Sequence, residues 1–265
     1  MHIFDRDIAF VSSGPLLLTG RISDNWSINE TPNGGYLLAL VAHAMMAQSQ
    51  RQATPIITAN FLRRCRAGEA QISVENISRS RQFDRMQARL FQGGEERIRA
   101  FGTLADATSR PESGRRYETL PPDVPPADRC LPVPAMPGYS LFDHLDVRLD
   151  PRCAGWMEGR LVDRSEHTGR VRFKDRRAFD TAAALLIADA FPPPVFASQG
   201  AAAWVPTLEL SVNVRNGSAS GWLVCRFRTR FINNGLLEED GEIWDESGEL
   251  VAVSRQVAQF QKTDA

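Results

Sequence analysis

The stretch Phe179-Asp180-Thr181-Ala182-Ala183-Ala184-Leu185-Leu186-Ile187-Ala188-Asp189-Ala190-Phe191, closed by Pro192-Pro193-Pro194, decides how the rest of the chain must be arranged. Asp180 can accept hydrogen bonds from the free N–H groups of a first turn, Ala and Leu propagate the helix, and three prolines stop it because none can donate to the ladder. The result is a short helix over 180–191, apolar around nearly its whole circumference. A helix of that kind has to be buried on most sides, as when a sheet wraps it. Asp189 is the exception within it. A carboxylate in the last turn meets the negative end of the helix dipole, and its neighbours Ile187, Ala188, Ala190 and Phe191 oppose ionisation by desolvation. An Asp that reaches solvent or pairs with an Arg is the plain structural alternative.

The chain has 265 residues, 43% of them hydrophobic and 24% charged, with a formal net charge of -1. Near-neutral charge gives no electrostatic case for nucleic acid or an anionic membrane, so a small-molecule partner is expected. Cys65, Cys130, Cys153 and Cys225 lie far apart without a C-x-x-C pair, which suggests neither a metal site nor a disulfide framework. The N-terminus, Met1-His2-Ile3-Phe4-Asp5-Arg6-Asp7, is charged too early for a signal peptide, and Leu16-Leu17-Leu18 is too short to span a bilayer. A cytoplasmic protein without membrane insertion is the expectation.

A second apolar helix begins after the turn cluster Asn29-Glu30-Thr31-Pro32-Asn33-Gly34-Gly35 and runs from Tyr36 to Gln48. Its glycines permit close approach of other backbone or a ligand, and its free N–H groups suit a carbonyl oxygen or an anion. After Pro55 the period changes from helical to extended. Strands are expected over 56–63, 70–77, 86–91 and 97–104, with Gly93-Gly94 as a hairpin turn. Residues 111–138 carry Pro121-Pro122, Pro125-Pro126, Pro132, Pro134 and Pro137 and read as a stiff linker between an N-terminal unit, 1–110, and a C-terminal unit, 139–265.

Beyond the linker the programme repeats. Strands are expected over 141–149, 154–162 and 169–174, then the opening helix, then strands over 207–214, 222–231, 237–245 and 249–260. The halves align: Gly93-Gly94-Glu95 with Ser247-Gly248-Glu249, and Pro55 with Pro206. The offset that aligns Gly94 with Gly248 puts Gly35 opposite Asp189, and the first half has Gly35, Ile56 and Gly102 roughly where the second half has Asp189, Thr207 and Gln256. The fold class is α+β. Two helix-then-meander units have a simple solution in which two antiparallel sheets each curl around their own central helix and pair edge to edge, so that no strand edge is left open between them. That is the hotdog arrangement, duplicated.

In the final strand, period two puts Ala252, Ser254, Gln256 and Ala258 on one face, and small neighbours leave Gln256 room to reach inward. Thr207 stands at a strand entrance directly after Pro206. Taken singly, a Thr and a Gln in such places are structural in most proteins.

Taken together, Ala188-Asp189-Ala190-Phe191, Pro206-Thr207-Leu208-Glu209 and Gly248-Glu249-Leu250-Val251-Ala252-Val253-Ser254-Arg255-Gln256 resemble the three motifs of the double-hotdog acyl-CoA thioesterase II family. Trp26, Asn33-Gly34-Gly35-Tyr36 and Phe61-Leu62-Arg63 resemble its first-half signatures, in the thioesterase-like branch. The resemblance implies an Asp, Thr and Gln triad, here Asp189, Thr207 and Gln256, holding a water for attack on a thioester carbonyl, with no cofactor. It implies an acyl-CoA substrate and a homodimer, in lipid metabolism. Gly34, Gly35 and Tyr36 at the first helix start are the candidate substrate-binding residues, the glycine N–H groups being candidates for the oxyanion. One departure stands out: Thr58 occupies the region where better-known members carry a His before Phe-Leu-Arg. A non-catalytic acyl-CoA-binding protein on the same scaffold, or a hotdog hydratase or dehydratase, are the alternatives, the latter lacking a His where it needs its acid or base.

Overall fold

A computed structural model describes residues 1–51, 53–106, 117–201 and 203–262. The first positions of the proline-rich segment, 111–116, lie outside them.

Two helices organise the interior. The first, Gly34–Ala47, is capped by Asn33, whose side chain accepts from the Tyr36 N–H at 3.0 Å, and it carries no charged residue to mark a solvent face. Eleven of its residues are buried, as an all-round apolar helix demands. The second, Thr181–Ile187, is capped by Asp180, which accepts from the Ala183 N–H at 2.9 Å. Every residue from Ala182 to Ile187 is buried.

The strands of both halves join in one large sheet rather than the two expected from the repeat, with two short two-stranded ladders, Ser27–Ile28 with Thr31–Pro32 and Ala203–Trp204 with Gln261–Lys262, beside it. Fourteen strands are linked antiparallel, and the order from one edge is Val11–Gly14, Leu17–Ile22, Gly68–Arg79, Asp84–Gln92, Glu95–Ala105 and Ala53–Phe61. The second half continues it with Thr207–Val214, Leu250–Gln259, Leu236–Asp245, Leu223–Thr229, Ser165–Phe173, Leu145–Leu149 and Leu131–Pro132, while Ile232–Asn233 folds onto Leu236 and Leu237. The seam is the pairing of Ile57–Asn60 with Glu209–Val212. Both strands would otherwise end their half with unpaired N–H and C=O groups, and pairing them removes those edges and fuses the sheets.

Nor does each half keep its helix to itself. The helices pack on one another within a single core that includes Leu38, Val41, Leu185 and Leu186. They meet at Gly35, where an added Cβ would lie 2.6 Å from the Leu186 carbonyl oxygen and 2.8 Å from that of Leu185. Only hydrogen fits there.

Several local expectations change. Residues 154–162 are not a strand: Gly155–Glu158 is a 3-10 turn ending at Gly159 with φ of 76°. The strand expected over 141–149 opens as a helical turn, Leu141–His144, before Leu145–Leu149 extends. The second helix stops four residues early, and the Asp189 and Ala190 N–H groups bond back to the Leu186 and Ile187 carbonyls at 3.3 and 3.2 Å in a tightened turn. The proline-rich segment is tied down in its later part, where Arg170 donates to the Pro125 and Val124 carbonyls at 2.7 and 3.1 Å and Leu131–Pro132 adds a strand to the sheet edge. The Gly93-Gly94 turn forms as read, with φ of 60° and 79°.

Candidate active site

The site is built where the turn after the second helix meets the start of the first. The Asp189 carboxylate accepts through Oδ2 from the Asn33 side-chain Nδ2 at 2.9 Å and the Gly35 N–H at 3.1 Å. Asn33 Nδ2 also donates to the Asp189 main-chain carbonyl at 2.7 Å. Asn33 therefore has two roles: its oxygen caps its own helix and its nitrogen holds the carboxylate of the other half. Gly34 is confined by the same group, since a Cβ there would stand 2.9 Å from Asp189 Oδ2.

Desolvation dominates the electrostatics of Asp189. Burial pushes its carboxyl up to about 6, against the lowering effect of hydrogen bonds from Gly35, Gly34, Asn33 and Gln256. A carboxylate poised there is ionised near neutral pH and still basic enough to take a proton.

Thr207 and Gln256 reach the same place from the sheet. Thr207 lies opposite Ala258 on the final strand, and an irregularity in the ladder between Thr207 and Glu209 re-aims the strand entrance. Gln256 is buried on the inner face opposite Leu210. Its amide Nε2 donates to the Thr207 hydroxyl, and it hydrogen-bonds the Asp189 carboxylate as well. Acid, amide and hydroxyl form one connected group.

Of the residues expected to bind substrate, Gly34 and Gly35 do line the carboxylate, but their N–H groups are not open to an oxyanion because both are turned to Asp189. The next two N–H groups are also spent, that of Tyr36 on the Asn33 side chain and that of Leu37 on the Asn33 carbonyl. Tyr36 is elsewhere altogether: fully buried, its hydroxyl donates to the Asp7 carbonyl at 2.8 Å and accepts from the Ser23 N–H at 3.0 Å. It pins the N-terminal segment to the core. Thr58 is spent on the seam, donating to the Ser211 hydroxyl at 2.9 Å. In the first half Gly102 faces Met45, whose sulfur would stand 2.7 Å from a Cβ there, and Ile56 is partly exposed.

Two residues of the site were not singled out from the sequence. Asn33 was legible as part of a turn and of the Asn-Gly-Gly-Tyr signature, with no role of its own. Glu239 is the ladder partner of Gln256, buried on the same inner face, and burial first and the Asp189 charge second push its carboxyl well above the usual range. The alternation Leu237, Glu239, Gly241, Ile243 carries that signal, since period two places Glu239 among core residues.

Residues 121–260 match the family described as acyl-CoA thioesterase C-terminal domain, and residues 22–105 match that described as acyl-CoA thioesterase N-terminal domain. An uncharacterised protein of Mycobacterium tuberculosis is 27% identical over 264 residues, covering 90% of this chain and 89% of that one. The crystal structure of a candidate thioesterase II from Thermobifida fusca superposes with a TM-score of 0.88 at 26% identity, over 98% of each chain. A hot dog fold protein of unknown function from Alicyclobacillus acidocaldarius reaches 0.89 at 22% identity over 100% of both chains, a likeness that speaks to the fold. The chain belongs to the acyl-CoA thioesterase family, its first half matching the N-terminal domain and its second half the C-terminal domain.

Proposed function

We propose that the protein hydrolyses an acyl-CoA thioester, with Asp189 as general base and with Thr207 and Gln256 orienting the water. The observation that carries this reading is the connected group itself: a desolvated carboxylate with its acidity shifted to about 6, joined through Gln256 to the Thr207 hydroxyl. Asp189 takes a proton from the water as its oxygen attacks the thioester carbon. The tetrahedral intermediate then expels the thiolate, which recovers that proton as free CoA. Thr207 and Gln256 are neutral, so they position the nucleophile without competing for its proton.

Release of free thiol from a panel of acyl-CoA esters tests the proposal. Turnover by the unaltered protein that disappears in Asp189→Asn supports it, and full turnover by that variant overturns it. The engagement of the Gly34 and Gly35 N–H groups by Asp189 favours one second reading, a binding protein on the same scaffold. It would show saturable affinity for acyl-CoA without thiol release.

A further inference from the structure

The second half holds another group of buried polar atoms, which hydrolysis does not use. His167 is fully buried on the inner face, and its Nδ1 is 3.0 Å from the Pro192 carbonyl oxygen. That oxygen can only accept, so Nδ1 carries the proton and Nε2 presents a lone pair. Burial pushes the imidazole down to about 4, which keeps the ring neutral at neutral pH. Nε2 has no donor, and the Trp156 indole Nε1 has no acceptor, among the described residues. Both atoms are removed from solvent. The rings face each other with centroids 5.8 Å apart and planes 31° from parallel. An open acceptor on one ring and an open donor on the ring facing it are complementary to one chemical group that both donates and accepts, a hydroxyl. A buried donor or acceptor left unpaired keeps its whole desolvation penalty.

The position relative to the triad says where that hydroxyl comes from. Pro192 follows Asp189 by three residues, and the segment it opens covers the inner face beyond the site. Phe191 packs on Phe227, the ladder partner of His167, at 5.0 Å. Phe196 packs on Trp156 at 5.4 Å and, on its other side, joins Leu237 and Ala258, Ala258 being the ladder partner of Thr207. Apolar side chains therefore separate the triad from the open polar pair.

Resting on the thioesterase reading, we infer that the acyl group carries a hydroxyl remote from the thioester, its hydrogen donated to His167 Nε2 and its oxygen accepting from Trp156 Nε1, with an apolar spacer between. A site built around a substrate hydroxyl discriminates strongly against the analogue that lacks it, because its own polar groups are then left unpaired.

The test compares kcat/KM for octanoyl-CoA, β-hydroxyoctanoyl-CoA and ω-hydroxyoctanoyl-CoA, repeated from butyryl to dodecanoyl. The ω-hydroxy ester is preferred at least about tenfold over the plain ester at its best length, and Trp156→Phe, which keeps the ring packing, brings that ratio to about one. His167→Phe does the same from the other side. Equal rates for the plain and ω-hydroxy esters at every length, or a preference that survives in both variants, would mean that the pair holds a trapped water only and would overturn the inference while leaving the hydrolase standing. Equilibrium binding of the same esters to Asp189→Asn keeps the question open to measurement if no ester is hydrolysed, since a preference for the ω-hydroxy form survives there or the inference fails.

Discussion

Replacing Asp189 by Asn removes the proposed general base and a buried charge in one step, so activity and stability are expected to move in opposite directions. The amide keeps the shape and can still accept from Asn33 Nδ2 and the Gly35 N–H, which now reach the carboxylate at 2.9 and 3.1 Å. The loss of proton transfer lowers kcat about 10²- to 10⁴-fold. For stability, the folded-state carboxyl titrates near 6 against an ordinary 3.8. Because the folded value is raised, the contribution of this group is fully present below pH about 4 and is lost as pH rises through about 6. A shift of about two units corresponds to about 3 kcal/mol at neutral pH, an upper bound given that Asp189 keeps some solvent contact. The Asn variant avoids that loss. At pH 8 its unfolding midpoint lies roughly 5 to 10 °C above that of the unaltered protein, and the gap closes by pH 4. Thermal unfolding at a series of pH values, with thiol release measured in parallel, reads both effects. A variant that is inactive but also less stable at pH 8 would refute the desolvation argument, and one with undiminished kcat would refute the base.

The remaining expectations follow from single contacts. Because Asp189 must be ionised to accept a proton, kcat/KM rises with pH through about 6 and levels above it, and a profile flat from pH 5 to 8 contradicts the assignment. Gly35→Ala sets a methyl 2.6 Å from a main-chain oxygen that cannot move independently, so the two helices must separate, at a cost of about 1–3 kcal/mol read by urea denaturation. Tyr36→Phe leaves Asp7 O and Ser23 N without their buried partner and destabilises by about 1–3 kcal/mol, while KM for a good thioester stays unchanged, as a substrate contact would not allow. Thr207→Val removes the acceptor of the Gln256 amide and lowers kcat with little change in KM, checked by steady-state thiol release.

The absence of any polar face on Tyr36–Gln48 and on the alanine-rich helix meant that both had to be enclosed, and alternation between Gly68 and Ala105 and again from Thr207 to Gln259 supplied the sheet to enclose them. Most strands and the repeat between halves were legible because they depend on side-chain period and turn residues, which are local, although 154–162 forms a 3-10 turn and 141–144 a helical one. The same locality explains where the reading stopped. Whether two sheets stay separate depends on which edge strands find each other, and the pairing of Ile57–Asn60 with Glu209–Val212 spans about 150 residues of chain. Asp189 stood out as a charge with no local reason to exist, and Thr207 and Gln256 came with the family resemblance. Nothing local could tell that the N–H groups of Gly34 and Gly35 would be consumed by that same carboxylate, that Tyr36 would turn away to Asp7, or that Glu239 would lie across from Gln256. Those outcomes were decided by tertiary structure alone, because a hydrogen-bonding group takes its partner from whatever the packed chain brings within about 3 Å, and that distance is set by the crossing of two helices from opposite halves.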